Sequence, residues 1–517
     1  MAKAIMLQGT GSNVGKSLLA AALCRIFYQA GYRVAPFKSQ NMALNTGTSP
    51  TGGEMSRAQI VQAYAAGVLP RVEMNPVLLK PIAQARSQII VMGKVVGELG
   101  AREYHDNFNQ ALWRQVEAAY ATLAREFQII VIEGAGSPAE INLKQHEIAN
   151  MRVAKMAGAP VLLVADIDRG GALAAIVGTL ELLEPEEREM IAGLIINKFR
   201  GDLKLLQPAL EFLEKRTGKP VLGVIPFLTK HGLPEEDSVV LEQINNRPTM
   251  AGEVEIAVIK LPCIANFTDF DAWQRQAGVN LRFIEDKKAL GQADLIILPD
   301  SENTIGDLQW LRSSGLEAAI KSLVAAGVPL IGISGGYQML GQEICDPQQV
   351  ETELERTNGL GLLPIKTVLQ ATGLSSQVCG QIIGGGPFLS ALQGQEIRGY
   401  EIHRGASYLL EDRPVFRITR RDGEEVEFND GALAEGGLIW GTCVHGIFNN
   451  DNLRNQVLNV LRDRRGLKGE TEDYSFALEQ ERLINNLARQ VAAHLDLDRL
   501  AKILELELPL AGDGLAR

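Results

Sequence analysis

Short apolar runs alternate with longer amphipathic stretches through the first half of the chain: AIMLQ (4–8), RVAPFK (33–38), QIIVIEG (128–134), PVLLVAD (160–166), IAGLIINK (191–198) and PVLGVIP (220–226). Runs this short and this uniformly apolar, with helical patterns between them, predict parallel strands buried on both faces and joined by crossover helices. A polar, turn-rich stretch, GLPEEDSVVLEQINNRPTMAGE (232–253), then interrupts the pattern, and a second series begins with VEIAVIKLP (254–262). It continues through LRFIE (281–285), ADLIILPD (293–300), GVPLIGIS (327–334) and GGLIWGTCVHG (436–446). The pattern therefore predicts an α/β protein of two doubly wound domains, 1–250 and 251–517. The last part, 465–517, reads as a charged amphipathic helix whose apolar stripe would pack on the second domain.

Composition narrows the class. A chain of 517 residues with 46% hydrophobic residues can bury more than one core. The formal charge of −11 argues against a nucleic-acid footprint, which concentrates Lys and Arg. Five scattered cysteines form neither a disulfide framework nor a thiolate metal site, and no apolar run is long enough for a membrane span. The expectation is a cytoplasmic protein that binds neither nucleic acid nor membrane.

Two turns carry candidate chemistry. The first is GTGSNVGKS (9–17), between a strand and an apolar helix. Such a turn aims the backbone N–H groups of Gly11, Ser12, Asn13, Val14 and Gly15 at phosphate oxygens, while Lys16 neutralises the outer phosphates and Ser17 reaches Mg²⁺. The strict P-loop spacing asks for Gly at position 10, where Thr10 stands, with Gly9 one place earlier. Other polar residues fall where parallel strands should end, at the ligand edge of an open sheet. Glu133 ends a very apolar strand and would need a partner such as Mg²⁺, a helix cap being the plainer alternative. Lys38 and Glu54 would face the phosphates or form a surface pair, and Asn197 would contact the nucleotide base or close a turn.

The second turn is GISGGYQMLG (332–341), a strand-to-helix bend presenting Ser334 between glycines. It satisfies the nucleophile-elbow pattern, and His445 follows later in the chain as a serine hydrolase would require. A helix cap at Ser334 is the structural alternative.

Taken together, FKSQNMALNT (37–46), GGEMSRAQ (52–59), MNPVLLKP (74–81), EGAGSPAEINL (133–143), DIDRGG (166–171), NKFRGD (197–202), NFTDFD (266–271), GGYQMLG (335–341), GYEIHRG (399–405) and VHGIF (444–448) give a chain that resembles the cobyric acid synthases over nearly its whole length. The resemblance implies an N-terminal P-loop NTPase-like domain related to dethiobiotin synthetase, whose P-loop also has its first Gly displaced. It also implies a C-terminal class I glutamine amidotransferase-like, flavodoxin-like domain. The implied reaction uses ATP and Mg²⁺ to amidate the b, d, e and g carboxylates of the corrinoid adenosylcobyrinic acid a,c-diamide through acyl phosphates. Glutamine or ammonia would supply the nitrogen. Mg²⁺ would be held by Ser17, Glu133 and Glu54, with Ser334 and His445 as the catalytic pair of the second domain; the resemblance leaves room for a homodimer.

The chain departs from the family at the glutaminase site. Ser334 stands where the family has Cys, and LPDSENT (298–304) replaces the usual LPGSKNT, placing Asp300 and Glu302 near the oxyanion-binding turn. Ile447 occupies the position two after His445, where class I enzymes often have Glu, so no third residue is evident. Cys443 reads as a buried structural cysteine, and His403 as either a substrate contact or a strand-end residue. Three readings of Ser334 follow, an engineered knockout, a natural enzyme taking free ammonia and a weak serine glutaminase, and the changed oxyanion stretch points to a naturally impaired glutaminase. A serine hydrolase fused to a P-loop domain and a nonenzymatic ATP-binding scaffold are the rival readings, and neither accounts for SQNMALN (39–45) or EINL (140–143).

Overall fold

The structure is a computed structural model that describes residues 2–83, 86–100, 109–228, 247–467 and 474–506. Most of the polar stretch expected to separate the domains, and part of the C-terminal segment, lie outside the described residues. The chain divides into two compact units, one made of Met1–Ala43, Met55–Pro234 and Gln480–Arg517, the other of Leu44–Glu54 and Glu235–Glu479.

The first unit is built on a parallel sheet of β1 (Lys3–Gly9), β2 (Val34–Phe37), β3 (Ile129–Glu133), β4 (Val161–Asp166), β5 (Ile191–Phe199) and β6 (Val221–Pro226), in the order β6-β5-β4-β1-β3-β2. Alternate residues of a strand serve opposite cores, as period-2 geometry requires. Met6, Ile130, Ile132 and Leu163 join one apolar cluster, while Ile5, Leu7, Ile129, Val131 and Leu162 join another. Both faces must therefore be covered, which is why these strands read as unbroken apolar runs. Helix α1 (Lys16–Gln29) covers the second face with Leu19, Leu23, Ile26 and Phe27. In register, Leu7 lies opposite Glu133, so the end of β3 falls beside the turn that follows β1.

The C-terminal helices differ from expectation. Leu483, Ile484, Leu487, Ala488, Val491, Leu497 and Leu500 share the core of Ile5, Leu7 and Val131, so the segment from Gln480 completes the first unit rather than the second. An amphipathic stripe specifies that a helix must find an apolar face, not which one. Here polar contacts settle the choice: buried Arg25 takes both carboxylate oxygens of Glu481 at 2.6 and 3.0 Å, and Gln29 bonds Asn485 at 3.0 Å. Gly223 on β6 lets the chain approach so closely that a Cβ there would lie 2.4 Å from the His494 carbonyl oxygen.

The second unit has a parallel sheet of β7 (Val254–Ile259), β8 (Val279–Ile284), β9 (Leu295–Leu298), β10 (Leu330–Ile333) and β11 (Ile439–Thr442), in the order β8-β7-β9-β10-β11, with Ala432–Leu433 antiparallel at the edge. Beside it lies a mostly antiparallel sheet that the apolar-run pattern did not anticipate, dominated by the long pair Ile365–Ile382 and Glu396–Leu409. Immediately after β11 the chain changes sheets at Cys443, and Val444–His445 pairs with Tyr400–Glu401. That switch carries His445 from the parallel sheet to the antiparallel one.

Candidate functional site

The P-loop departs from strict spacing for a visible reason. A Cβ at Gly9 would meet Val14 Cγ2 at 2.6 Å, the Gly11 carbonyl oxygen at 2.8 Å and Lys16 Nζ at 2.9 Å. The tight approach that requires glycine thus occurs at Gly9, and Thr10 is free to carry a side chain. Gly15 takes a φ of 98°, a left-handed conformation open to glycine, and caps α1. Val14 is buried beneath the loop, while Ser12 and Asn13 are exposed at its tip. The Lys16 ammonium donates to the carbonyls of Gly11 at 2.9 Å and Gly136 at 3.1 Å, which holds it over the loop. Asn197, at the end of β5, donates from Nδ2 to the Val14 carbonyl at 2.8 Å and so braces the loop backbone; Lys198 does the same at the Asn13 carbonyl at 2.6 Å.

Glu133 is the centre of this site and is 1% exposed. Its Oε1 accepts from the Ser17 hydroxyl at 2.7 Å and from the Lys38 ammonium at 2.9 Å; its Oε2 accepts from Gln62 Nε2 at 2.6 Å. Burial alone would push this carboxyl up, but the Lys38 charge and the hydrogen bonds from Lys38, Ser17 and Gln62 outweigh it and hold the group below the usual carboxylate range. The carboxylate and the Ser17 hydroxyl are hard oxygen donors that fit Mg²⁺, an ion that takes one or two protein ligands and completes its shell with phosphate and water. Glu54 is buried, but it belongs to the Leu44–Glu54 segment of the second unit, whereas Ser17 and Glu133 belong to the first.

Gln62 was not read from the sequence. It lies on the helix Arg57–Ala65, and Gln59 Nε2 donates to its Oε1 at 2.8 Å, which fixes the amide so that Nε2 faces Glu133. The available signal was a pair of glutamines three residues apart on a mostly buried helix, where polar side chains need a reason.

In the second unit, Ser334 sits between β10 and the short helix Gly335–Leu340, with φ 48° and ψ −111°, a strained conformation typical of an elbow. Its neighbours have no space for side chains: a Cβ at Gly336 would stand 2.1 Å from the Leu298 carbonyl oxygen. Ser334 is 1% exposed, and its hydroxyl donates to the Ile402 carbonyl at 3.4 Å.

His445 is fully buried and supplies the partner that the sequence did not disclose. Its Nδ1 meets Asp269 Oδ2 at 2.8 Å, and Asp269 Oδ1 accepts from the Gly446 N–H at 2.8 Å. The acidic partner of His445 is therefore Asp269 of NFTDFD, remote in sequence, and not a group after the histidine. His445 Nε2 meets the Ile402 carbonyl at 3.2 Å and lies 3.7 Å from Asp300 Oδ2. A carboxylate and a carbonyl are both acceptors, so both ring nitrogens carry protons. Burial would lower the pKa of the ring, but Asp269, Asp300 and the Ile402 carbonyl raise it to about 9. Among the described residues, Ser334 and His445 share an acceptor and are not hydrogen-bonded to each other, which disfavours the serine-hydrolase reading.

Asp300 points into this site. Its Oδ1 accepts from the Gly335 N–H at 3.0 Å, and its Oδ2 accepts from Asn266 Nδ2 at 3.0 Å. Cys443 is buried, and that burial, followed by the charges of Asp430, Glu401 and Asp300, pushes its thiol well above the ordinary range, so it offers no thiolate in place of Ser334. His403 lines a separate cavity of about 400 Å³ together with Glu401, Arg421 and Cys443.

These two sites define the class: a P-loop nucleotide-binding unit joined to a glutamine-amidotransferase-like unit. Residues 5–238 match the CobQ/CobB/MinD/ParA nucleotide binding domain, and residues 255–453 match the CobB/CobQ-like glutamine amidotransferase domain. The cobyric acid synthase of Moorella thermoacetica is 70% identical over 514 residues, covering 99% of both chains. Those of Pelotomaculum thermopropionicum and Desulfitobacterium hafniense are 53% identical over 525 residues and 52% over 508, covering 99% and 97% of this chain and 99% and 98% of their own. The chain belongs to the cobyric acid synthase family.

Among the described residues no helix is long and apolar enough to cross a membrane.

Proposed function

We propose that the chain amidates the b, d, e and g carboxylates of adenosylcobyrinic acid a,c-diamide, using ATP and a nitrogen donor, to give cobyric acid. The observation that carries this reading is the buried Glu133, held between Ser17, Lys38 and Gln62 beside a P-loop. A carboxylate exchanges oxygen for nitrogen only when that oxygen becomes a leaving group. A substrate carboxylate oxygen attacks the γ-phosphorus of ATP, the bond from that phosphorus to the bridging oxygen breaks, and ADP departs to leave an acyl phosphate. The nitrogen lone pair of ammonia then attacks the acyl carbon, the carbon–oxygen bond to phosphate breaks, and the nitrogen loses a proton to give the amide.

Lys16 and the P-loop amides orient the outer phosphates, and Lys38 places a second positive charge beside the transferred group. Ser17 and Glu133 would hold Mg²⁺, and the ion would offset charge on the phosphoryl oxygens. In the second unit Ser334 occupies the nucleophile position of a glutaminase, His445 the base position and Asp269 the orienting position.

The test is incubation of the full chain with the corrinoid, ATP, Mg²⁺ and ammonium chloride. ADP and corrinoid amide are expected in equal amounts, and a preparation that forms neither would refute the proposal.

A further inference from the structure

We propose that Asp300 keeps the second unit's elbow closed to glutamine hydrolysis, so that the nitrogen of the amidation enters as free ammonia. The second half of this statement rests on the amide-ligase reading; the first half does not.

Hydrolysis at an elbow needs a nucleophile whose proton can be taken, a base with a free lone pair, and an N–H donor for the oxygen of the tetrahedral intermediate. In this unit each is already engaged. The backbone N–H after the nucleophile, at Gly335, is the usual oxyanion donor, and it donates to Asp300 Oδ1 at 3.0 Å. A developing oxyanion would have to displace a carboxylate from its hydrogen bond and then sit beside it, like charge against like charge. The base is engaged too: His445 donates from Nε2 to the Ile402 carbonyl at 3.2 Å and from Nδ1 to Asp269 at 2.8 Å, with Asp300 Oδ2 3.7 Å from Nε2. No lone pair of the ring faces Ser334. The Ser334 proton is directed at the same Ile402 carbonyl, at 3.4 Å.

Asp300 joins two of these blocks, because one of its oxygens takes the oxyanion donor while the other faces the imidazolium. It is held there by Asn266 Nδ2 at 3.0 Å, from a residue in the left-handed region at φ 48°, and is 6% exposed. The replacement of a reactive thiol by Ser334 is thus one part of a larger arrangement. Restoring the thiol alone leaves the oxyanion donor occupied by Asp300.

The experiment compares the full-length wild type with Ser334→Cys, Asp300→Gly and the double variant, reading glutamate release from glutamine without corrinoid or ATP. The wild type and Ser334→Cys are expected to release glutamate at background rates, and the double variant at least about tenfold faster than Ser334→Cys, since one oxyanion donor is commonly worth about 10²-fold or more. Ser334→Cys/Asp300→Ala repeats the test with a side chain that fills more of the space. Near-UV circular dichroism and denaturant unfolding of each variant, measured in parallel, report that the second unit is folded. Glutamate release by the wild type that is lost in Ser334→Ala would overturn the proposal, as would Ser334→Cys alone matching the double variants. Because glutamate release needs neither the corrinoid nor ATP, a failure of the amidation reading leaves this result interpretable.

Discussion

The two units solve one geometric problem and use the solution oppositely. In each, a strand of a parallel sheet runs into a helix through a turn with a residue in the left-handed region, Gly15 at φ 98° and Ser334 at φ 48°. In each, a buried carboxylate stands at that turn. Glu133 has cationic, hydroxyl and amide donors around it, leaving the backbone amides of the P-loop to meet a phosphate. Asp300 takes the backbone amide itself. The comparison teaches that an acidic residue at a strand-to-helix turn supports catalysis when side chains satisfy it, and obstructs catalysis when it satisfies itself on the turn.

The largest effect should separate the units outright: Lys16→Ala is expected to lower ammonium-driven amidation by about 10³-fold, read as ADP and corrinoid amide. Glu133→Gln comes next, with about 10²-fold loss of the same activity. It should also cost about 3 kcal/mol in stability by denaturant unfolding, because it removes the buried ion pair with Lys38.

The pH dependence belongs to the second unit. His445 is raised in the folded chain to about 9, so its contribution to stability is fully present below its unfolded pKa of about 6.5 and is lost as pH rises through about 9. The contribution is on the order of 3 kcal/mol. The second unit's unfolding transition should fall between pH 7 and 10, and His445→Gln should flatten that slope; an unchanged slope would show that His445 is not the imidazolium described. Gln62→Leu, which removes only the positioning of Glu133, should cost about tenfold in amidation and raise the apparent Mg²⁺ requirement. Ser334→Ala should leave ammonium-driven amidation within about twofold, since the amidation chemistry resides in the other unit.

What could be read from the sequence was what lies close along the chain. The P-loop, the glutamate ending an apolar strand and the serine at a Gly-flanked bend all have a local grammar of turn and strand end. The residues that decide how the second site behaves do not. Asp269 reaches His445 across 176 positions, and Asp300 reaches Gly335 across 35. The substitutions in LPDSENT signalled that the oxyanion turn had changed; whether Asp300 faced inward depended on the Asn266 side chain and on how Gly335 packs against that turn. The antiparallel sheet escaped notice for a related reason: its strands alternate buried and exposed residues and show no continuous apolar run.

The placement of the last helices has a bearing on how the molecule is made. Leu483, Leu487, Val491 and Leu500 complete the same apolar cluster as Ile5, Leu7 and Val131. A ribosome that has passed Pro226 has therefore produced a nucleotide-binding sheet with one flank covered by α1 but not by the last helices, and it must translate most of the other unit before the missing layer emerges. Nascent chains usually close domain by domain from the amino end; this one must keep its first hydrophobic surface waiting, and a premature stop anywhere beyond the sheet would leave that surface uncovered.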